Sequence, residues 1–407
     1  MSSTARRVEA PAAVHKSSAR SRLAEALKHP AVVWSAPGLI YLFVRQVGLY
    51  VLQLVVEYQN KLHGTTNTAL GELKTWDGEW FLGIAAGGYN DVPGRLTDAA
   101  GRRSAETPLA FFPGYPALVR WVDSLPGVTV EGAAFAVSLI SGLFCAYGLF
   151  VLGRAVRGGS VPSGLILVTL FAASPMAVVL SMTYSEATFC AFAVWALVGV
   201  VKKRWILAGV SCAAAGLVRP TAGALIAAVV LAAVVAVIAD KRDWRAWVGA
   251  LAAPLGLLGY LAWVAIRTRD LAGWFGVQQR GWGSKFDGGS ATWKFALEHL
   301  GNPRSELETG TVWLLVLAIV LVFYAFQRRL EWPLIVYAIG VIVMDIGSNG
   351  LMNSKARLLL PAFTLLVPLA LVLARRRLST VLTVLGLAVL FSAWFGAYSL
   401  AVWQYAI

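Results

Sequence analysis

The block Thr75-Trp76-Asp77-Gly78-Glu79-Trp80 sets two carboxylates two residues apart between two indoles. On a helix, positions i and i+2 point apart, so one acid faces a cavity and the other does not. A carboxylate at a water–lipid boundary can serve as general base, because partial burial raises its proton affinity toward the working range. The bracket of Trp76 and Trp80 favours Asp77 for that role. Glu79 is left as an orienter or second acid, or as a residue of a solvated loop.

Five other places carry polar groups beside apolar runs. In FFPGYP, Tyr115 sits in a proline-fixed turn that either shapes an acceptor groove or only steers the chain back into the membrane. In SMTYSEATF, Glu186 follows Tyr184 and Ser185. It is a second acid or orienter, or else a first-turn acid behind a Ser185 N-cap. In GLVRPTAG, Arg219 is a lone guanidinium that wants a carboxylate or phosphate. In WFGVQQRGWG, Gln278, Gln279 and Arg280 supply donors and Trp282 an indole plane, a combination suited to a sugar ring. In SNGLMNSKARLLLP, Lys355 and Arg357 enter an apolar run as two cations that could hold a lipid-linked phosphate or anchor a helix end. Arg45 lies inside the first apolar run, and an acid or the ligand is its expected partner.

The remaining motif search excludes several chemistries. There is no phosphate-binding Walker loop, no dinucleotide glycine fingerprint, no HExxH and no GxSxG. The four histidines are scattered, and Cys145, Cys190 and Cys212 all lie in apolar segments, so neither a metal site nor a disulfide framework is indicated. No metal or cofactor is required by this residue set, although Asp77 with Glu79 could hold a divalent cation.

These residues must be positioned by membrane helices. The 407-residue chain is 58% hydrophobic and only 14% charged, outside the band of soluble globular proteins. Eleven spans are predicted, at roughly 31–56, 131–153, 161–180, 184–201, 205–218, 220–239, 246–266, 310–326, 332–347, 356–374 and 379–404. The fold class is therefore all-α, a polytopic membrane helix bundle. Residues 1–30 read as a basic cytoplasmic tail without a signal peptide, ahead of a membrane domain over 31–407.

Orientation follows from the Lys/Arg bias. With the N-terminus in the cytoplasm, 19 of the 35 basic residues fall on the inside, in the tail and at 154–157, 202–204, 241–245, 328–329 and 375–377. Only five acids share that side (Glu9, Glu25, Asp240, Asp243 and Glu331), so the whole +14 surplus is topological and no nucleic-acid footprint is implied. Two large outside loops remain, 57–130 and 267–309. In the first, Leu70, Leu73, Trp76, Trp80 and Ile84 recur at helical spacing, predicting a helix in the interface with its aromatic face toward the headgroups. All six polar places fall on the outside in this scheme, which predicts one shared extracytoplasmic site in a multi-pass cell-membrane protein.

TWDGEWFLGIAAGGY, followed in order by FFPGYPALVR, SPMAVVLSMTYSEATF, LVRPTAG, QQRGWG and ARLLLPAF, resembles the PIG-V family of integral-membrane mannosyltransferases, within the GT-C superfamily. The likeness runs over most of the chain from residue 31. It departs at Ser174-Pro175, where the family more often has Asn-Pro. The resemblance implies a GT-C bundle with interfacial helices in the first outside loop and a catalytic Asp, by position Asp77. It implies a polyprenyl-phosphate sugar donor, mannose by analogy, and a glycan, glycolipid or glycoprotein acceptor among membrane lipids. The expected activity is an inverting transfer. Arg219, Arg280, Lys355 and Arg357 would stabilise the donor phosphate. Trp76, Trp80, Tyr115, Tyr184, Gln278, Gln279 and Trp282 would contact sugar or acceptor. A transporter or flippase of lipid-linked sugars would use similar groups without chemistry, and a non-catalytic subunit of a glycosylation complex is a third class.

Overall fold

Long runs of Ala, Val, Leu and Gly leave the backbone no water to bond with, so each run closes its own hydrogen bonds as a helix. The computed structural model describes residues 29–303 and 305–407, and most of the predicted tail lies outside the described residues. The helices are α1 (Pro30–His63), α2 (Ala69–Glu72), α3 (Asp77–Gly87), α4 (Gly114–Asp123), α5 (Val130–Ala155), α6 (Val161–Ala172), α7 (Glu186–Val201), α8 (Trp205–Gly216) and α9 (Ala222–Ala239). There follow α10 (Trp244–Ala252), α11 (Leu255–Thr268), α12 (Gly273–Trp282), α13 (Ser290–Gly301), α14 (Glu306–Gln327), α15 (Trp332–Gly347), α16 (Lys355–Leu358), α17 (Val367–Leu373) and α18 (Leu378–Ala401). Among the described residues there is no strand, only an isolated bridge between Phe286 and Ser348. The molecule is an all-α, multi-pass membrane protein.

Each predicted span meets a helical segment, but the segments differ in length. Among the described residues six are long and apolar enough to cross a membrane: α1, α5, α9, α10 with α11, α14 and α18. A seventh is formed if 352–373 is one span, bent by 46°. Four shorter apolar helices, α6, α7, α8 and α15, complete the set. The predicted span 161–180 stops as a helix at Ala172, and a buried turn with a 3-10 segment at Ala177–Ser181 runs on to α7. Unwound backbone at membrane depth is tolerated where protein covers it. Here Ser392 donates to the Ser174 carbonyl at 2.7 Å, and Arg45 donates to the Ala177 carbonyl. The expected acid or ligand partner of Arg45 is thus replaced by a backbone acceptor exposed by the unwinding.

Segment 57–130 departs from the headgroup-facing helix predicted for the first of its interfacial elements. The backbone breaks at Trp76, whose φ of 59° and ψ of −121° lie where L-residues are strained. Leu73, Trp80 and Ile84 then turn into protein and are buried rather than facing headgroups. The loop is tied down by Thr183 N–H donating to the Leu73 carbonyl at 3.1 Å and Gly114 N–H to the Leu217 carbonyl at 2.7 Å. The segment around 285–287 is pinned to the end of α15 by Asp287 N–H to the Gly347 carbonyl, 2.8 Å, and Asn349 N–H to the Lys285 carbonyl, 2.9 Å.

Small residues let helices approach closely where hydrophobic driving force is weak. A Cβ on Gly256 in α11 would sit 1.8 Å from the Ala213 carbonyl oxygen of α8, whereas one on Gly259 meets nothing within 4 Å. Gly256→Ala is expected to destabilise the bundle by about 1–3 kcal/mol through overpacking. Gly259→Ala should be neutral or mildly stabilising, as in any helix interior. Thermal unfolding of the two variants in detergent checks the contrast.

Candidate functional site

α7 begins at Glu186 and ends beside the basic turn Lys202–Arg204, roughly 20–25 Å away along its axis. Glu186 is at the end where the chain breaks most often: after Leu73, across 173–185, at 217–221 and across 348–366. A broken backbone turns side chains from sequence-distant segments toward one another, and four charges meet here.

Arg357, on the short helix α16, lies between two acids. Its Nη2 is 2.7 Å from Asp77 Oδ2 and its Nε is 3.8 Å from Glu186 Oε1. Glu186 Oε1 is also 2.7 Å from Arg219 Nη1, which donates to Ser185 Oγ at 3.0 Å. The order Asp77, Arg357, Glu186, Arg219 alternates in sign and sums to zero, as low dielectric demands of buried charge. The Glu186 side chain is 0% exposed and that of Asp77 28%, so the string runs from the interior to an opening. The Arg357 guanidinium also lies over the Tyr184 ring, 5.1 Å from its centroid. Arg357 Nε and Nη1 and Arg219 Nε have no hydrogen-bond partner.

Local sequence explains the placement of Asp77. It is the first residue of α3, where the helix dipole favours a carboxylate. Its backbone N–H donates to Tyr184 Oη at 3.2 Å. Gly78 permits this approach, since a Cβ there would lie 2.5 Å from Thr183 Oγ1 and 3.4 Å from the Tyr184 ring. Ser185 does not cap α7 through its side chain; it accepts from Arg219 instead.

An aromatic wall adjoins the charges. Phe81 is edge-on to Tyr184 at 6.4 Å and to Phe111 at 5.4 Å. Trp80 stacks on Phe111 at 5.2 Å, and Trp282 meets both rings edge-on at 6.3 and 5.6 Å. Gln278 donates to the Ala110 carbonyl at 3.1 Å. Trp76 is 41% exposed, while Trp80, Tyr115 and Tyr184 are buried. Tyr115 is bonded inward, to the Ala134 carbonyl and Ser138 Oγ at 3.0 Å each. Gln279 is exposed on α12.

Other expected site residues are held elsewhere. Glu79 pairs with Arg95 at 2.5 Å, so the two carboxylates of TWDGEW serve different arginines and do not converge. Arg280 pairs with Glu106 at 2.6 Å on the surface. Lys355 is buried; its Nζ donates to the carbonyls of Asp345 and Ser348 at 2.5 and 2.7 Å, and lies 3.9 Å from Asp345 Oδ1. It thereby fastens the strap that carries Arg357. Asp345, a lone acid in the apolar run of α15, was visible in the sequence as a costly intramembrane charge, and the reading above passes over it. Phe81, in the same block as Asp77, was legible only as one more apolar residue.

An open apolar groove of about 100 Å³ lies against residues 356–366. It is lined by Pro175 and Met176, by Leu314, Leu317, Ala318 and Leu321 of α14, and by Ala356, Leu360 and Phe363. Ala356 is the immediate neighbour of Arg357.

No protein-family model matches this chain, and no curated protein matches it. Among solved structures the chain is similar to ArnT from Cupriavidus metallidurans in the apo state, with 16% identity and a TM-score of 0.50. The match covers 83% of this chain and 60% of that one, so the likeness spans about three-fifths of the length of ArnT. It is a likeness of fold alone.

Breaking the buried string and breaking the surface pair should differ. Glu186→Gln leaves two arginines without their shared counter-charge and is expected to cost about 3–5 kcal/mol. Glu79→Gln removes a partly exposed pair and should cost less than about 1 kcal/mol. Thermal or denaturant unfolding in detergent measures both.

Proposed function

We propose that this protein is a membrane glycosyltransferase that moves a sugar from a polyprenyl-phosphate donor to a hydroxyl acceptor at the extracytoplasmic face. The sugar is mannose, and the chain is a PIG-V-like member of the GT-C superfamily. The ArnT-like GT-C fold supports the coarser part, an enzyme using a lipid-linked sugar. The observation that carries the reading is the Asp77–Arg357–Glu186–Arg219 string, with an apolar groove lined by Ala356, the residue before Arg357. A candidate base and phosphate-binding cations are then in direct contact, and the groove reaches Ala356, the chain neighbour of Arg357.

The chemistry follows from what each group can do. The polyprenyl chain lies in the groove between α14 and 356–366, which brings its phosphate to Arg357. Arg357 Nη1 and Arg219 Nε, which have no hydrogen-bond partner, are donors for phosphate oxygens. The exposed indole of Trp76 offers a face to the sugar. The acceptor oxygen attacks the anomeric carbon while the bond from that carbon to the phosphate oxygen breaks. The electron pair goes to the phosphate, and the hydroxyl proton goes to Asp77. Attack from the face opposite the departing phosphate inverts the anomeric centre. The phosphate changes from a diester with one negative charge to a monoester approaching two. Cations held in place therefore bind the transition state more tightly than the ground state. No metal is needed, because the leaving group is stabilised by guanidinium.

Three measurements test this. Purified protein given polyprenyl-phosphate mannose and a panel of hydroxyl acceptors should form a new glycoside; binding or translocation without a product would assign the same groups to a transporter. Asp77→Asn should reduce transfer by about 10²–10⁴-fold, the usual worth of a general base, with membrane insertion unchanged. In the groove, Ala318→Phe should raise KM for a long-chain donor and leave a short-chain donor little affected.

A further inference from the structure

The structure holds Arg357 unequally between its two acids. Glu186 is fully buried and is anchored a second time by Arg219 at 2.7 Å. Asp77 is the outer acid, 28% exposed, and Arg357 is the only cation within ion-pair distance of it among the described residues. Its Oδ2 lies 2.7 Å from Arg357 Nη2, so a guanidinium that does not give up its proton occupies an acceptor site a general base needs. The same guanidinium is the natural grip for a phosphate, since its planar fork matches two phosphate oxygens.

Resting on the glycosyltransferase reading, we infer that Arg357 exchanges the Asp77 carboxylate for the donor phosphate, so that Asp77 becomes a free base only once the donor is seated. Glu186 and Arg219 stay behind as the fixed half of the string. Glu186 holds Arg357 near its place during the exchange, and is a positioning residue rather than one that touches the reacting atoms. The exchange is close to neutral in charge, because one anion replaces another on the same cation. It orders the reaction: an acceptor arriving alone meets a carboxylate that is already engaged. As the bond to the anomeric carbon breaks, the phosphate becomes the stronger anion and its hold on Arg357 tightens. Asp77 is left to keep the proton it has taken from the acceptor.

This makes an unusual demand on the base. Asp77 competes with the donor for Arg357, so removing its charge should impair catalysis and improve binding of the lipid phosphate. The test is a double-mutant cycle on affinity for farnesyl phosphate, with farnesol as the phosphate-free control, in wild type, Asp77→Asn, Arg357→Gln and the double variant. Asp77→Ser is a second removal of the carboxylate, in case Asp77→Asn does not fold. The expected result is that Asp77→Asn and Asp77→Ser bind farnesyl phosphate about twofold to fivefold more tightly than wild type, the worth of one partly exposed ion pair. That gain should vanish when Arg357 is replaced by Gln. Unchanged or weaker binding by both Asp77 variants would overturn the exchange. So would a gain that persists without Arg357, since it would then be simple relief of negative charge. If wild type binds farnesyl phosphate no better than farnesol, the donor reading itself falls, and the exchange with it.

Discussion

A guanidinium shared by two carboxylates is the interaction on which this end of the molecule depends. Away from water, an isolated charge is too costly to keep, and a pair is tolerated only when its remaining bonding capacity is met. The string of Asp77, Arg357, Glu186 and Arg219 meets that demand by alternating in sign. The solution has a topological price: four segments separated by up to 280 positions, at 77, 186, 219 and 357, must come to one place. The arrangement of the surrounding backbone follows from that requirement.

The fold meets it by letting helices end early. The long helices α1, α5, α9, α14 and α18 form walls with apolar outer faces, while α6, α7, α8 and α15 are short and stop beside irregular segments. The chemistry-bearing residues lie in those segments or at the helix starts beside them: Arg219 in one, Asp77 and Glu186 as first residues of α3 and α7, Arg357 on the short α16. The segments' freed carbonyls are taken up by side chains from neighbouring elements: Arg45 on Ala177, Ser392 on Ser174, and Lys355 on Asp345 and Ser348. Several polar residues that read as ligand contacts in sequence thus serve the backbone that presents the ligand contacts. Lys355 is the clearest case, because it supports the strap bearing Arg357 from two residues away. The broken strap also lines an apolar groove with Ala356, Leu360 and Phe363.

The strained backbone at Trp76 belongs to the same design. A continuous helix through 69–87 would have kept Leu73, Trp80 and Ile84 on one stripe facing lipid. The break instead buries those three, exposes Trp76 and starts a new helix at Asp77. For three of the five regularly spaced apolar residues the pattern reported burial within protein, while Leu70 and Trp76 stay exposed.

How much could be read in advance follows from which forces are local. Helical runs in an apolar chain are dictated by the need of each backbone group for a partner within its own segment, so the positions of the eleven apolar segments were legible from residue order. So was the clustering of Lys and Arg in alternate connections. The types of residue that buried charge requires also singled out Asp77, Glu186, Arg219 and Arg357 as unusual. Which acid meets which cation was not legible, because it depends on where helices stop and how closely they pack, over distances of a few ångströms between segments far apart in the chain. Only the tertiary structure gave Glu79 to Arg95, Arg280 to Glu106, Lys355 to Asp345 and its neighbouring carbonyls, and Arg357 to both Asp77 and Glu186. Residue order carries charge and hydropathy, whereas the pairing of charges is set by geometry, and Coulomb attraction in a low dielectric acts on that geometry alone.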